Sequence, residues 1–173
     1  MRQHEDLKRS LRGAVWGLTA TVVMTAVMVI GALVFRSSFA RPPFPYLFID
    51  HLVPHASGEA TAALTVVAHF AFGALLGVLF AFFSEPMTLA KGIGFATLVW
   101  SVMHVIFVPW LGWGDFAFIH ASAFGHATAW PFIFYTLILH MVFGVTLGAL
   151  GARDDRVHHV TFDDLGHLLP HKV

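Results

Sequence analysis

Four stretches of unbroken apolar sequence divide this chain, at about residues 14–35, 61–84, 92–110 and 131–151, and none contains Lys, Arg, Asp or Glu. Crossing the hydrocarbon core of a bilayer takes about 20 apolar residues, and each stretch is close to that length. Their apolar positions run all round the helix rather than down one stripe, as in a helix with hydrocarbon or protein on every side. The pattern predicts an all-α integral membrane protein, a bundle of four transmembrane helices. A polar segment at 1–13 precedes the first helix. Loops at 36–60 and 111–130 join the first to the second and the third to the fourth, and a polar tail at 153–173 follows.

The charged residues orient this plan. Arg2, Lys8, Arg9 and Arg12 precede the first span, Lys91 lies between the second and third, and Arg153, Arg156 and Lys172 follow the fourth. Only Arg36 and Arg41 fall in the other two loops. Basic residues are retained on the cytoplasmic side, so both termini are expected inside and the two longer loops outside. A cleaved leader is the competing reading of the start, because Ser38-Phe39-Ala40 places small residues where a signal peptidase acts. The apolar run before it is roughly twice the usual 7–15 residues, which favours an anchor.

Composition agrees: 57% of residues are hydrophobic and 12% charged, against about a quarter charged in a soluble domain. The partner this implies is the lipid bilayer. Absence of cysteine excludes disulfides, iron–sulfur ligation and thiol catalysis. A formal net charge of zero without a basic patch argues against nucleic acid. The sequence contains no nucleophile elbow, phosphate loop, paired intramembrane carboxylates or zincin motif, so no enzymatic activity is expected.

The pattern His-x-x-Phe-Gly-x-x-x-Gly occurs twice, as His69, Phe72, Gly73, Gly77 and as His140, Phe143, Gly144, Gly148. Arg12-Gly13 opens the first span as Lys91-Gly92 opens the third, and the same register sets Met24-Thr25 against Met103-His104. Both hairpins would enter from the same side, so the halves read as a parallel duplication of a helical hairpin. Glycines four apart let a neighbouring backbone approach, which assigns Gly73, Gly77, Gly144 and Gly148 to helix packing, within the bundle or against a second copy or another membrane protein. The histidines lie on the glycine side of their helices, since i and i+4 share a face, and should point into the bundle.

The first outer loop carries Arg41-Pro42-Pro43-Phe44-Pro45-Tyr46, which favours extended backbone. Leu47 to Val53 then reads as a short interfacial segment over the bundle. Phe44, Tyr46, Trp110, Trp113 and Trp130 suit the outer headgroup level. The tail, with His158, His159, His167 and His171, is expected to be cytoplasmic and partly mobile.

Intramembrane ionisable groups call for a reason. Counted from the cytoplasmic ends at 1.5 Å per residue, His104 and His140 lie about 18 Å deep and His69 about 22 Å, with Thr25 level at about 18 Å. His69, His104, His140 and Thr25 thus form a candidate site in the bundle core. Three readings stay open. The imidazoles can hydrogen-bond to carbonyls or to Thr25, Thr97 or Ser101 and fix helix register. They can ligate haem b or copper, with Met24, Met28, Met103 and Met141 near, or they can handle protons as pH falls. A second, weaker group lies in the outer segments: Asp50, His51, His55, Glu59, Asp115, His120 and His126. Carboxylate plus imidazole is a divalent-metal donor set, although solvated loop residues of these types need no metal.

The chain also resembles a known family. Pro45-Tyr46-Leu47-Phe48, His69-x-x-Phe72 with Glu85 after that span, Gly92, His104 followed by Pro109 and Gly112, and Phe124-Gly125-His126 are similar in order and spacing to YagU-like bacterial inner-membrane proteins. The likeness covers roughly residues 42–130. It implies a small multi-span protein of the bacterial inner membrane without an established activity, and a link to acid stress. Ser122 stands where members carry an acidic residue, and the first span lacks their charges. The reading that follows is a non-enzymatic inner-membrane protein that responds to stress or protons through buried histidines. A haem- or copper-binding protein is the alternative, and a small transporter the second.

Overall fold

Residues 2–35, 44–118 and 129–166 are described by the computed structural model, and every regular element among them is helical. Four of the helices are long and apolar enough to cross a membrane. The first, α1 (Arg2–Phe35), starts well before its apolar stretch. Residues 2–13 are thus continuous in one helix with the first apolar stretch: Leu, Lys, Arg and Glu are good helix formers, and no proline interrupts them. Next comes α2 (Phe44–Leu52). Phe44, Pro45 and Tyr46 belong to it, which corrects the extended reading of those residues; proline is tolerated in a first turn, where its missing amide would have no partner. Residues 41–43 lie outside the described residues.

Ser57 caps α3 (Gly58–Phe83), its Oγ accepting from the Ala60 amide at 3.2 Å. Thr88 does the same for α4 (Leu89–Trp110), accepting from Lys91 N at 3.2 Å. The helix α4 widens into a π-turn over Met103–Phe107, where Val108 N reaches back to Met103 O. A proline ring collides with the carbonyl four residues before it, and Pro109 follows directly, so the extra residue relieves that clash. The last helix, α5 (Trp130–Gly166), continues fifteen residues past the expected end at 151. The stretch 153–166 of the tail is helical, and His167 and His171 lie outside the described residues.

Helix α1 packs on α3 and α5, α4 packs on α5, and α2 lies against α3. Glycines make the tight crossings. A β-carbon on Gly17 would strike the Gly73 carbonyl and stand 2.9 Å from Gly77 Cα, and one on Gly92 would strike the Gly144 carbonyl and stand 2.6 Å from Gly148 Cα. The two hairpins therefore repeat one contact, with Gly17 equivalent to Gly92. The register anticipated from Arg12-Gly13 and Lys91-Gly92 is off by one helical turn. In the observed register Met24-Thr25 matches Val99-Trp100, not Met103-His104.

One packed cluster, including Trp16, Leu76, Phe80, Ala96, Phe143 and Leu147, closes the terminal end, where α1 begins and α5 finishes. Another, Val108, Ala117 and Phe132 with Phe44, Leu47 and Trp113, closes the opposite end. Polar links tie the terminal end. Arg12 pairs with Asp154 at 2.8 Å, and Asp155 accepts from the Met87 amide at 2.6 Å. Arg9 donates to the Ala81 carbonyl at the end of α3 and pairs with Glu85 at 2.8 Å. Large apolar side chains such as Ile30, Leu33, Leu75, Leu98 and Phe134 lie exposed along the helices, a surface suited to hydrocarbon rather than water.

Candidate functional site

The bundle is not closed on all sides. Helices α3 and α4 approach near the terminal end, where the Phe80 and Phe95 rings stand 5.6 Å apart, and face each other across a cleft of about 620 Å³ above that point. Helix α2 covers its other end through Phe44, Pro45, Phe48 and Ile49. Phe48 is fixed there by rings of α4, 6.1 Å from Phe107 and 6.2 Å from Trp110. The walls are mostly hydrocarbon, and among the described lining residues none is Asp, Glu, Lys or Arg. The polar side chains on them are Thr21, Thr65, His69, Tyr135, Thr136 and His140.

His69 and His140 occupy equivalent places in the two motifs and both line this cleft. The Nε2 of His69 lies 3.1 Å from Thr25 Oγ1, a link between α3 and α1. The Nδ1 of His140 lies 2.7 Å from the Thr136 carbonyl one turn earlier. A carbonyl only accepts, so this nitrogen carries the hydrogen.

His104 is placed differently. It is fully buried and does not line the cleft. Its Nδ1 donates to the Trp100 carbonyl at 3.0 Å, and its Nε2 lies 3.2 Å from Thr136 Oγ1. Trp100, Phe116 and Phe132 surround the ring at centroid distances of 4.6, 5.2 and 5.5 Å. Phe116 adopts φ 54°, a costly conformation for a bulky residue, and so stacks on the imidazole. With both nitrogens engaged and three aromatic rings around it, His104 joins α4 to α5. Trp100 Nε1 completes that junction by donating to Thr136 Oγ1 at 3.1 Å.

Thr136 and Trp100 escaped sequence reasoning, although a signal existed. The repeated motif extends one turn back as Thr-x-x-x-His, with Thr65 before His69 and Thr136 before His140. Tyr135, whose hydroxyl donates to the Met28 carbonyl at 3.2 Å, had none.

The four outer residues Asp50, His51, His55 and Glu59 are exposed on and after α2, and Asp115 is exposed at the start of a 3-10 turn. His120 and His126 lie outside the described residues. Among the described residues no three His, Cys, Asp or Glu side chains gather as a metal site requires, in this outer group or among His69, His104 and His140.

Fold and cleft define a class: an all-helical protein with four helices fit to cross a membrane and a largely apolar cavity between two of them. The chain belongs to DUF6789, a family of unknown function, whose model matches residues 7–159. No curated protein and no solved structure matches it.

Proposed function

We propose that this is a multi-pass membrane protein that holds a lipophilic molecule between α3 and α4, a binding protein rather than an enzyme. The observation that carries the reading is the cleft, about 620 Å³ with almost wholly apolar walls. Small-molecule sites commonly enclose about 300–1,000 Å³, mostly apolar with a few convergent polar groups. Here the polar groups are His69, His140 and the hydroxyls beside them. In a bilayer the gap between α3 and α4 opens toward acyl chains, so a lipid-soluble molecule enters without crossing water. The charge-free walls give no counter-ion to a charged ligand, and neither a carboxylate base nor a cysteine stands among them. The resemblance to YagU-like proteins adds an expectation of the same kind, a small inner-membrane protein without assigned chemistry.

Photolabelling tests this. Membranes containing the full chain are irradiated with a long alkane bearing a diazirine, and labelled peptides are located by mass spectrometry. Residues Phe72, Leu98 and Val99 on the cleft should carry several times the label of Val22 and Ile30 on the exposed face of α1, and Ala68→Trp should remove the excess by filling the cleft. Even labelling of all exposed faces would overturn the proposal. So would a Soret band in the purified protein that His69→Ala abolishes, which would make the cleft a haem site.

A further inference from the structure

On the cleft-binding reading, we infer that the ligand is a neutral lipid ending in a hydroxyl group, which donates its hydrogen to Nε2 of His140. Charge sets the first limit. A fatty-acid carboxylate or a phosphate headgroup would meet no Lys or Arg on the described walls, and an unpaired charge in such surroundings is costly.

The hydrogen-bond inventory sets the second. Thr21 already donates to the Gly17 carbonyl at 2.8 Å, Thr65 to the Thr61 carbonyl at 2.7 Å and Tyr135 to the Met28 carbonyl at 3.2 Å. Thr136 is taken up by Trp100, His104 and the carbonyls of its own helix. His69 Nε2 is occupied by Thr25. Apart from Nδ1 of His69, the side-chain donors along the described wall are therefore committed within the protein.

His140 decides the polarity of what remains. Its Nδ1–H is given to the Thr136 carbonyl at 2.7 Å, so Nε2 of the neutral ring is an acceptor. No described residue donates to it. His140 lines the cleft, an acceptor among apolar walls is costly to leave unpaired, and a ligand O–H supplies what the ring lacks. A long-chain alcohol or a quinol has that hydrogen. An ether, an ester or a quinone carbonyl has only acceptors to offer and would face another acceptor at Nε2 of His140.

The test varies the ligand before the protein. In membranes containing the full chain, a diazirine-tagged long-chain alcohol is compared with its methyl ether, each normalised to labelling of the α1 face. The alcohol should exceed the ether by about fivefold at Phe72 and Val99, the scale of one net hydrogen bond. Unlabelled long-chain quinol should compete for the site and the matching quinone should not. Competition by quinol and alcohol alike makes the hydroxyl the recognised feature, and competition by quinol alone assigns the ligand to the quinol class. His140→Phe should erase the preference and His140→Gln, which returns an acceptor, should restore part of it. Equal cleft labelling by alcohol and ether would overturn the inference while leaving the cleft reading intact. Absence of cleft labelling by both would sink the cleft reading itself. The ligand comparison uses the unaltered chain, so it decides the matter even where His140→Phe fails to fold.

Discussion

The hairpin of α1 and α3 and the pair of α4 and α5 carry the same motif in different surroundings. In the first, Phe72 is 50% exposed at the edge of the cleft, and His69 reaches across to Thr25. In the second, Phe143 is 3% exposed in the packed cluster at the terminal end, and His140 binds its own helix backbone. The second pair also has a junction the first lacks, His104 with Trp100, Thr136 and Phe116. The difference follows from neighbours. Helix α5 is covered by both α1 and α4, whereas α3 has α1 on one side and the cleft on the other. One sequence pattern thus lines the cleft in both copies, with its phenylalanine half exposed in the first and packed into the core in the second.

The glycine crossings, which the two halves share, give the largest expected effect. Gly17→Leu and Gly92→Leu should each cost about 3 kcal/mol or more, because the new side chain meets backbone that cannot move aside. Gly94→Leu, with open space around it, should be nearly silent. Unfolding of the purified protein in mixed micelles reads all three, and a silent Gly92→Leu would break the equivalence of the crossings.

The phenylalanines sharpen the contrast. Phe143→Ala should destabilise by about 2–3 kcal/mol by leaving a cavity in packed surroundings. Phe72→Ala should cost well under about 1 kcal/mol, since half of that side chain has no protein contact to lose. Equal losses in the same unfolding assay would mean that the two halves are packed alike and that the cleft is closed.

The histidines give the smallest separation. His104→Ala should cost about 2 kcal/mol, leaving a hole among three rings and stripping Thr136 and the Trp100 carbonyl of a partner. His69→Ala removes one interhelical hydrogen bond, on average about 0.6 kcal/mol between membrane helices. The ratio of the two losses, rather than either alone, measures how far His104 is structural and His69 is not.

The helices themselves were legible because hydropathy is local. Four uncharged apolar runs can only be helices where no water is available to satisfy the backbone, and Gly73, Gly77, Gly144 and Gly148 advertise close crossings. The extension of α5 past 151 was hidden by polar composition, although nothing between Ala152 and Gly166 breaks a helix. The one-turn error in matching the halves arose because Gly13 and Gly17 both suit the equivalence with Gly92, and only contact with Gly73 and Gly77 selects Gly17.

The three histidines show where sequence stops. Spacing along each helix determined the face they share with the glycines, since the period is a property of a single helix. Which of them meet depended on how α4 turns about its axis. The π-turn before Pro109 places His104 against α5 inside an aromatic cage, while His69 and His140 remain on the cleft wall. Separation of α3 from α4 is likewise a product of packing: α4 rests on α5, α1 fills the space between α5 and α3, and a fourth contact to close the ring is missing along most of the cleft. Rotation, gap and cage are relations between helices distant in the chain, and a pattern read along one strand of sequence contains no term for them.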